Sequence, residues 1–173
     1  NFQGAVGITG ATVAVVDAGA IELGASTVSG TYAVTATSGG DITDSGVLTI
    51  TNGATFKVDG GRSIILNNNN TFSSTVTFTP LSGTITAVTI RDSNDFDLKA
   101  LTTTGGLTVT AGGAVTQSGT LVIPGTTTIS AVNGSSVKQD VTLGDSSNNF
   151  GTTAITGANV AITDTNAIIL GAS

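Results

Sequence analysis

The chain has 173 residues and contains no cysteine, histidine, methionine or tryptophan, and a single tyrosine. Without His or Cys it cannot assemble a Ser-His-Asp or Cys-His nucleophile system, nor a structural zinc site. Without Cys there is no disulfide framework, and cysteine usage says nothing about redox compartment. Charge is scarce too: 9% of residues are charged, against roughly a quarter in ordinary soluble domains. The five basic residues, Lys57, Arg62, Arg91, Lys99 and Lys138, are scattered and the net charge is −6. That distribution builds no phosphate-tracking groove, so nucleic acid is not an expected partner. A lysine-poor acidic surface also disfavours anionic lipid. The longest apolar runs, 13–16 and 167–170, are far too short to span a bilayer. No membrane insertion and no cofactor are expected.

What the chain does have is glycine (24 residues) and threonine (33 residues), together about a third of its length. Its apolar residues are mainly Val, Ile, Leu and Ala. They alternate with Thr or small residues at 11–17, 31–36, 46–51, 54–58 and 106–110. Period-two alternation is the mark of a strand with one buried face, and β-branched Val and Thr suit the pleated surface. Gly-Gly, Asn-Gly, Asp-Gly and Ser-Gly pairs punctuate these runs as turns. No segment carries a helical stripe. The whole chain reads as all-β, with short strands.

Internal repetition is the strongest signal. Residues 10–26 match residues 157–173 at 11 of 17 positions without a gap. A third copy lies between them: Val13, Val15, Asp17, Ile21 and Leu23 recur as Val88, Ile90, Asp92, Phe96 and Leu98, and again as Val160, Ile162, Asp164, Ile168 and Leu170. These apolar positions are expected to form the core ladder. Val34-Thr-Ala36, Gly39-Gly40 and Ile42-Thr-Asp44 return as Val109-Thr-Ala111, Gly112-Gly113 and Val115-Thr-Gln117. Asn1-Phe2, Thr71-Phe72 and Asn149-Phe150 open three units, 1–70, 71–148 and an incomplete 149–173, of one continuous solenoid over 1–173. Neither end looks like an atypical capping repeat, which suggests a window from a longer array.

The recurring Asp17-Ala18-Gly19, Asp92-Ser93-Asn94 and Asp164-Thr165-Asn166 predict a turn. Asp would accept a bond from the backbone two residues on, and Gly19, Asn94 or Asn166 would adopt positive φ. A unit of about 75 residues is too long for one solenoid coil and holds three or four of roughly 20–25 residues. The chain would then form roughly seven to nine coils, about 35–43 Å long at about 4.8 Å per coil. Residues 79–86 match no other copy and are expected to loop out at a corner.

These units, Asn1-Phe2-Gln3-Gly4-Ala5-Val6, then Val13 to Leu23, then Leu107-Thr-Val-Thr-Ala-Gly-Gly-Ala-Val-Thr-Gln-Ser-Gly-Thr-Leu121, resemble the β-strand repeats of filamentous-haemagglutinin-type adhesins. The resemblance covers most of the chain. It implies a right-handed parallel β-helix within a very large protein secreted to the bacterial cell surface. The repeats would act as a stalk with no catalytic residues.

Several local patterns offer chemistry that competes with this structural reading. Asp41 with Asp44, or Asp92 with Asp95 and Asp97, could pair carboxylates for acid catalysis, but Asp44 gives way to Gln117 in the next unit. Asp92, Asp95 and Asp97 are also the one calcium candidate, although the Gly-Gly-x-Gly-x-Asp nonapeptide of calcium-binding solenoids is absent. Thr-x-Thr pairs invite an ice-, polysaccharide- or mineral-binding face, but their spacing along the chain is irregular. Asn67–Asn70 reads as a polar corner, or as an asparagine ladder against the equivalent 145–149. Asn69 and Asn133 match the short glycan-acceptor pattern. The expectation is a structural or adhesive segment of a long extracellular fibre, with neighbouring repeats, self-association and surface glycans as partners. The alternatives are a threonine-faced binding module and a small subunit stacking end to end.

Overall fold

The computed structural model describes residues 1–173 and contains strands and turns but no helix. Every pairing between named strands is parallel, and the strands stack as a β-solenoid of about eight coils. Each coil has three faces. Face II is continuous from end to end: β3 (Ile21–Leu23), β6 (Ile42–Asp44), the start of β9 (Ile64–Phe72), β11 (Val88–Asp92), β14 (Leu107–Ala111), the end of β16 (Leu121–Ala131), the end of β18 (Asn149–Thr156) and β20 (Ile169–Leu170). Face I stacks β2 (Val13–Asp17), β5 (Tyr32–Ala36), β8 (Ala54–Val58) and β10 (Val76–Pro80). It resumes with β13 (Leu101–Thr102) and the starts of β16 and β18. Face III stacks β1 (Thr9–Gly10), β4 (Ser26–Val28), β7 (Leu48–Ile50) and the end of β9. It resumes with β12 (Phe96–Leu98), β15 (Val115–Gln117), β17 (Val141–Leu143) and β19 (Val160–Ile162). The long strands β9, β16 and β18 bend around a corner and so belong to two faces.

Counting strand positions from β2 to its sequence equivalent β11 gives ten, because β9 supplies two. Ten positions on a three-faced coil are three and a third turns, so each unit begins one face further round. Val13 lies on face I, Val88 on face II and Val160 on face III. The register repeats in full: the face I stack Val13, Tyr32, Ala54, Val76 becomes the face II stack Val88, Leu107, Thr127, Thr153. The stack Ile21, Ile42, Ile64, Val88 becomes Phe96, Val115, Val141, Val160.

Alternate side chains point inward and merge into one core of 35 buried residues. Val15, Ile21, Leu23, Val88, Ile90, Phe96 and Leu98 are among them, and Val13 and Ile162 pack on its margin. The third copy departs from the expected ladder: Val160 is 45% exposed, Ile168 40% and Leu170 75%. They lie in the last coil, where no further coil covers them. Aromatic packing is confined to the first four coils. Phe56 stacks on Phe78 with centroids 6.2 Å apart and meets Tyr32 and Phe72 edge-on at 6.2 and 6.1 Å, separations that favour aromatic pairs.

Between the fourth and fifth coils, faces I and III lose their pairing: β10 does not pair with β13, and β9 does not pair with β12. The two coils are held at their corners by Ser93 N–H to the Asn70 carbonyl (2.8 Å) and Thr104 N–H to the Ile85 carbonyl (2.9 Å). Between these clamps the lower coil runs through residues 71–84 and the upper only through 94–103. Arcs of unequal length cannot stay in register, so a seam opens. The expected looped-out corner lies on the longer arc: after Pro80 the chain turns through exposed Leu81–Gly83, with Gly83 at φ 61°.

Candidate functional site

The three recurring aspartates do occupy corners, but by a different device from the one expected. Gly19, Asn94 and Asn166 are not at positive φ; the non-glycine residues that are, Ser38 and Ser136, lie elsewhere, with Gly39, Gly61 and Gly83. A Cβ at Gly19 would meet nothing nearer than the Asn1 side chain at 3.6 Å, so glycine and asparagine exchange there without strain. The tight position is one coil up, where a Cβ on Gly40 would collide with the backbone of Gly19. Asp17 and Asp92 are buried, and each of the three carboxylates accepts the N–H of its unit's phenylalanine: Phe2 to Asp17 (3.3 Å), Phe72 to Asp92 (3.1 Å) and Phe150 to Asp164 (3.3 Å). Only Asp92 also receives the N–H two residues on, from Asn94 at 3.3 Å. The recurring Asp and Phe are thus two halves of one inter-coil clasp.

A second clasp repeats with altered chemistry. Asn70, fully buried, accepts the Leu48 N–H (2.8 Å) and donates to the Asp44 carboxylate (2.8 Å). Its counterpart Asn148, also fully buried, accepts the Leu121 N–H (3.0 Å) and donates to Gln117 Oε1 (3.0 Å). The asparagines do not ladder on one another; each bridges to the acid or amide one coil below. The signal lay in the sequence: an Asn two residues before the unit's Phe, in phase with the buried set, opposite Asp in one unit and Gln in the next.

The acidic cluster does not converge. Asp92 faces inward. Asp95 accepts the Ala114 N–H (2.8 Å), and Asp97 pairs with Lys99 (2.7 Å) and accepts from Ser118 (2.6 Å). No three acidic residues anywhere in the chain are grouped to hold a metal, which corrects the calcium candidate: alternation around Phe96 puts Asp95 and Asp97 on one outward face, but Asp92 turns inward and each outward carboxylate is engaged by its own partners. Burial pushes the Asp92 carboxyl up to about 6, with the N–H groups of Phe72, Asn94 and Ser93 opposing and Asp95 adding to the rise. Its Oδ2 is buried without a partner. Burial works against the Asp97 charge, but Lys99, Ser118 and Thr116 outweigh it and hold that carboxyl low. The other acid pair is engaged in holding backbone: Asp41 takes the Ser63 N–H (2.8 Å) and Asp44 the Asn67 N–H (2.9 Å).

Threonines align in part. On face II the outward column runs Thr43, Ile65, Thr89, Thr108, Thr128, Ala154. On face I, Thr55-x-Lys57 lies beneath Thr77-x-Thr79. The Thr-x-Thr pairs are irregularly spaced in the sequence because they sit on different faces: Thr35 and Thr77 on face I, Thr49 on face III and Thr108 on face II. The seam opens two grooves: one of about 620 Å³ lined by Ser73, Thr75, Asn94, Asp95, Asp97 and Thr116 on face III, and one of about 320 Å³ beside Phe78 and Leu101 on face I.

A stacked solenoid of two congruent units defines a repeat protein. The chain belongs to the family described as repeats of unknown function (DUF5649), whose model matches residues 10–79 and again 85–156. The matched starts are 75 residues apart, the Val13-to-Val88 offset. The short unmatched stretch, 80–84, is the turn on the long arm of the seam. No curated protein and no solved structure matches the chain.

Proposed function

We propose that the chain is a non-catalytic structural segment of a long extracellular fibre at a bacterial surface. The observation that carries this reading is the congruence of the units. The second unit repeats all three strand stacks of the first in the same order, one face further round, so units can be added without limit. Each coil contributes parallel backbone bonding and a buried ladder, and such arrays gain length from nearest-neighbour contacts alone. The resemblance to filamentous-haemagglutinin-type repeats supports the same role, with neighbouring repeats as the main partner. The decisive measurement is the mass of the intact protein from its native source. A mass many times 16.8 kDa is expected; a mass near that value would replace the fibre with a small subunit.

A second reading, a threonine-faced module for ice, polysaccharide or mineral, draws on the Thr89, Thr108, Thr128 column. The rotation of units limits it, because the face that is threonine-rich in one unit turns about 120° in the next. A binding surface would be one unit tall. Thr108→Lys with Thr128→Lys should abolish adsorption to such a solid; adsorption that survives both changes would remove this reading.

A further inference from the structure

We propose that the cavity beneath the 132–138 turn is a binding site for a carboxylate-bearing sugar, with Arg91 as its anchor. In a repeat array, features that break the repeat are the ones the scaffold does not need, and two of them meet here. Arg91 is the first. It stands in an outward column whose other members are Thr110, Ser130 and Thr156, and its equivalents in the other units are Val16 and Thr163. Its guanidinium forms no ion pair; the ion pair between side chains is Lys99 with Asp97.

The inserted turn is the second. From β15 to β17 the chain takes 26 residues, where the coils before and after take 19. The excess forms a small hairpin closed by the antiparallel bridge Val132–Lys138. It is stiffened by Asn133 Oδ1, which accepts the N–H groups of Ser135 and Val137 (both 3.0 Å), and Ser136 takes φ 62° to make the turn. This hairpin and Arg91 line one cavity of about 300 Å³, with Asn69, Ser93 and Thr110 between them.

That volume is at the small end of ligand sites. One planar fork of donors with hydroxyls and amides around it matches a carboxylate flanked by sugar hydroxyls. Asp92, the one acid of the lining, turns its carboxyl inward to the N–H groups of Phe72 and Asn94. The site stands independently of the stalk reading, since a fibre or a short subunit would carry it equally.

The test is titration of the full chain with glucuronic and galacturonic acid, and with glucose and galactose as neutral controls, followed by amide chemical shifts. Binding of an acid with Kd on the order of 1 mM is expected, with shifts at Asn69, Arg91, Thr110 and Asn133. Arg91→Gln, on the solvent face, should weaken it about tenfold or more, while Arg62→Gln should leave it unchanged. Equal binding of acid and neutral sugars, retention of affinity in Arg91→Gln, equal loss in Arg62→Gln, or no binding at all would each overturn the proposal.

Discussion

The first four coils and the last four are built from the same unit, yet they differ in what fills and fastens them. In the lower block the core centres on Phe56, packed among Tyr32, Phe72 and Phe78, and the buried asparagine clasp closes on a carboxylate, Asp44. In the upper block the position equivalent to Phe56 is Ile129, the buried Phe96 and Phe150 rings pair with no other aromatic, and the clasp closes on neutral Gln117. The strand register is nonetheless the same. Register is therefore set by what both blocks share: inward alternation, the Asp-to-Phe clasp, and the glycines that let corners stack. Core volume and clasp charge vary within that frame. Where the blocks meet, only face II and the corners hold.

Core truncation should separate the blocks most strongly. Phe56→Ala removes a ring with three aromatic neighbours and should cost about 3–5 kcal/mol; Ile129→Val, in the equivalent upper place, about 0.5–1.5 kcal/mol. Urea unfolding monitored through Tyr32 and through amide signals in β16 would read the blocks independently. Loss of both blocks together in Phe56→Ala would mean that the seam does not divide the solenoid, and the comparison would fail.

The clasps give the next largest contrast. Asn70→Ala orphans the Leu48 N–H and strips a buried carboxylate of its amide donor, leaving it the Asn67 and Asn68 N–H groups, which should cost about 3 kcal/mol or slightly more. Asn148→Ala leaves neutral groups unpaired, for about 1–3 kcal/mol. Asp44→Gln, which gives the lower clasp the upper chemistry, should narrow that difference. Equal losses in the two alanine variants would show that charge is irrelevant to the clasp.

Much of the fold was legible in the sequence, because buried positions fall at period two and recur three times; Val13, Val88 and Val160 alone fix the unit. The rotation between units was not. A 75-residue offset does not reveal how many strands it contains, and the tenth strand is hidden in β9, where Ile64 to Phe72 turns a corner without a break. The exposure of Val160 and Leu170 follows from position in the stack, which alternation cannot express. The aspartate corners were visible as Asp17, Asp92 and Asp164, but their partner, the Phe N–H, lies 14 to 20 residues away. Local turn chemistry was therefore the natural reading; of it the structure keeps the Asn94 N–H on Asp92 and none of the positive-φ corners.

At the seam itself, Asp92 makes the junction pH-dependent. Its folded-state value, about 6, lies above the ordinary 3.8, so the folded state binds the proton more tightly than the unfolded chain. The resulting stabilisation is fully present below about 3.8 and is lost as pH rises through 6. About two units correspond to at most about 3 kcal/mol. Tm should rise when pH falls from 7.5 to 5, and the Asp92→Asn variant should be flatter over that window and more stable than the parent at 7.5. The same pH dependence in Asp92→Asn would assign the effect elsewhere.

The smallest effect belongs to the exposed Lys99–Asp97 pair (2.7 Å). Like the Asp97 bonds to Thr116 and Ser118, it lies within the upper block and does not reach across the seam. Exposed ion pairs contribute about 0.2–1 kcal/mol and weaken with salt. Lys99→Met should thus lower upper-block stability by less than about 1 kcal/mol, with the difference fading at high salt. Amide exchange in 73–84 should stay at its parent rate, because the seam's lower arc owes nothing to this pair. Faster exchange there in Lys99→Met would mean that the two blocks are coupled through β12 after all, and that the corner bonds at Asn70 and Ile85 are not what holds them together.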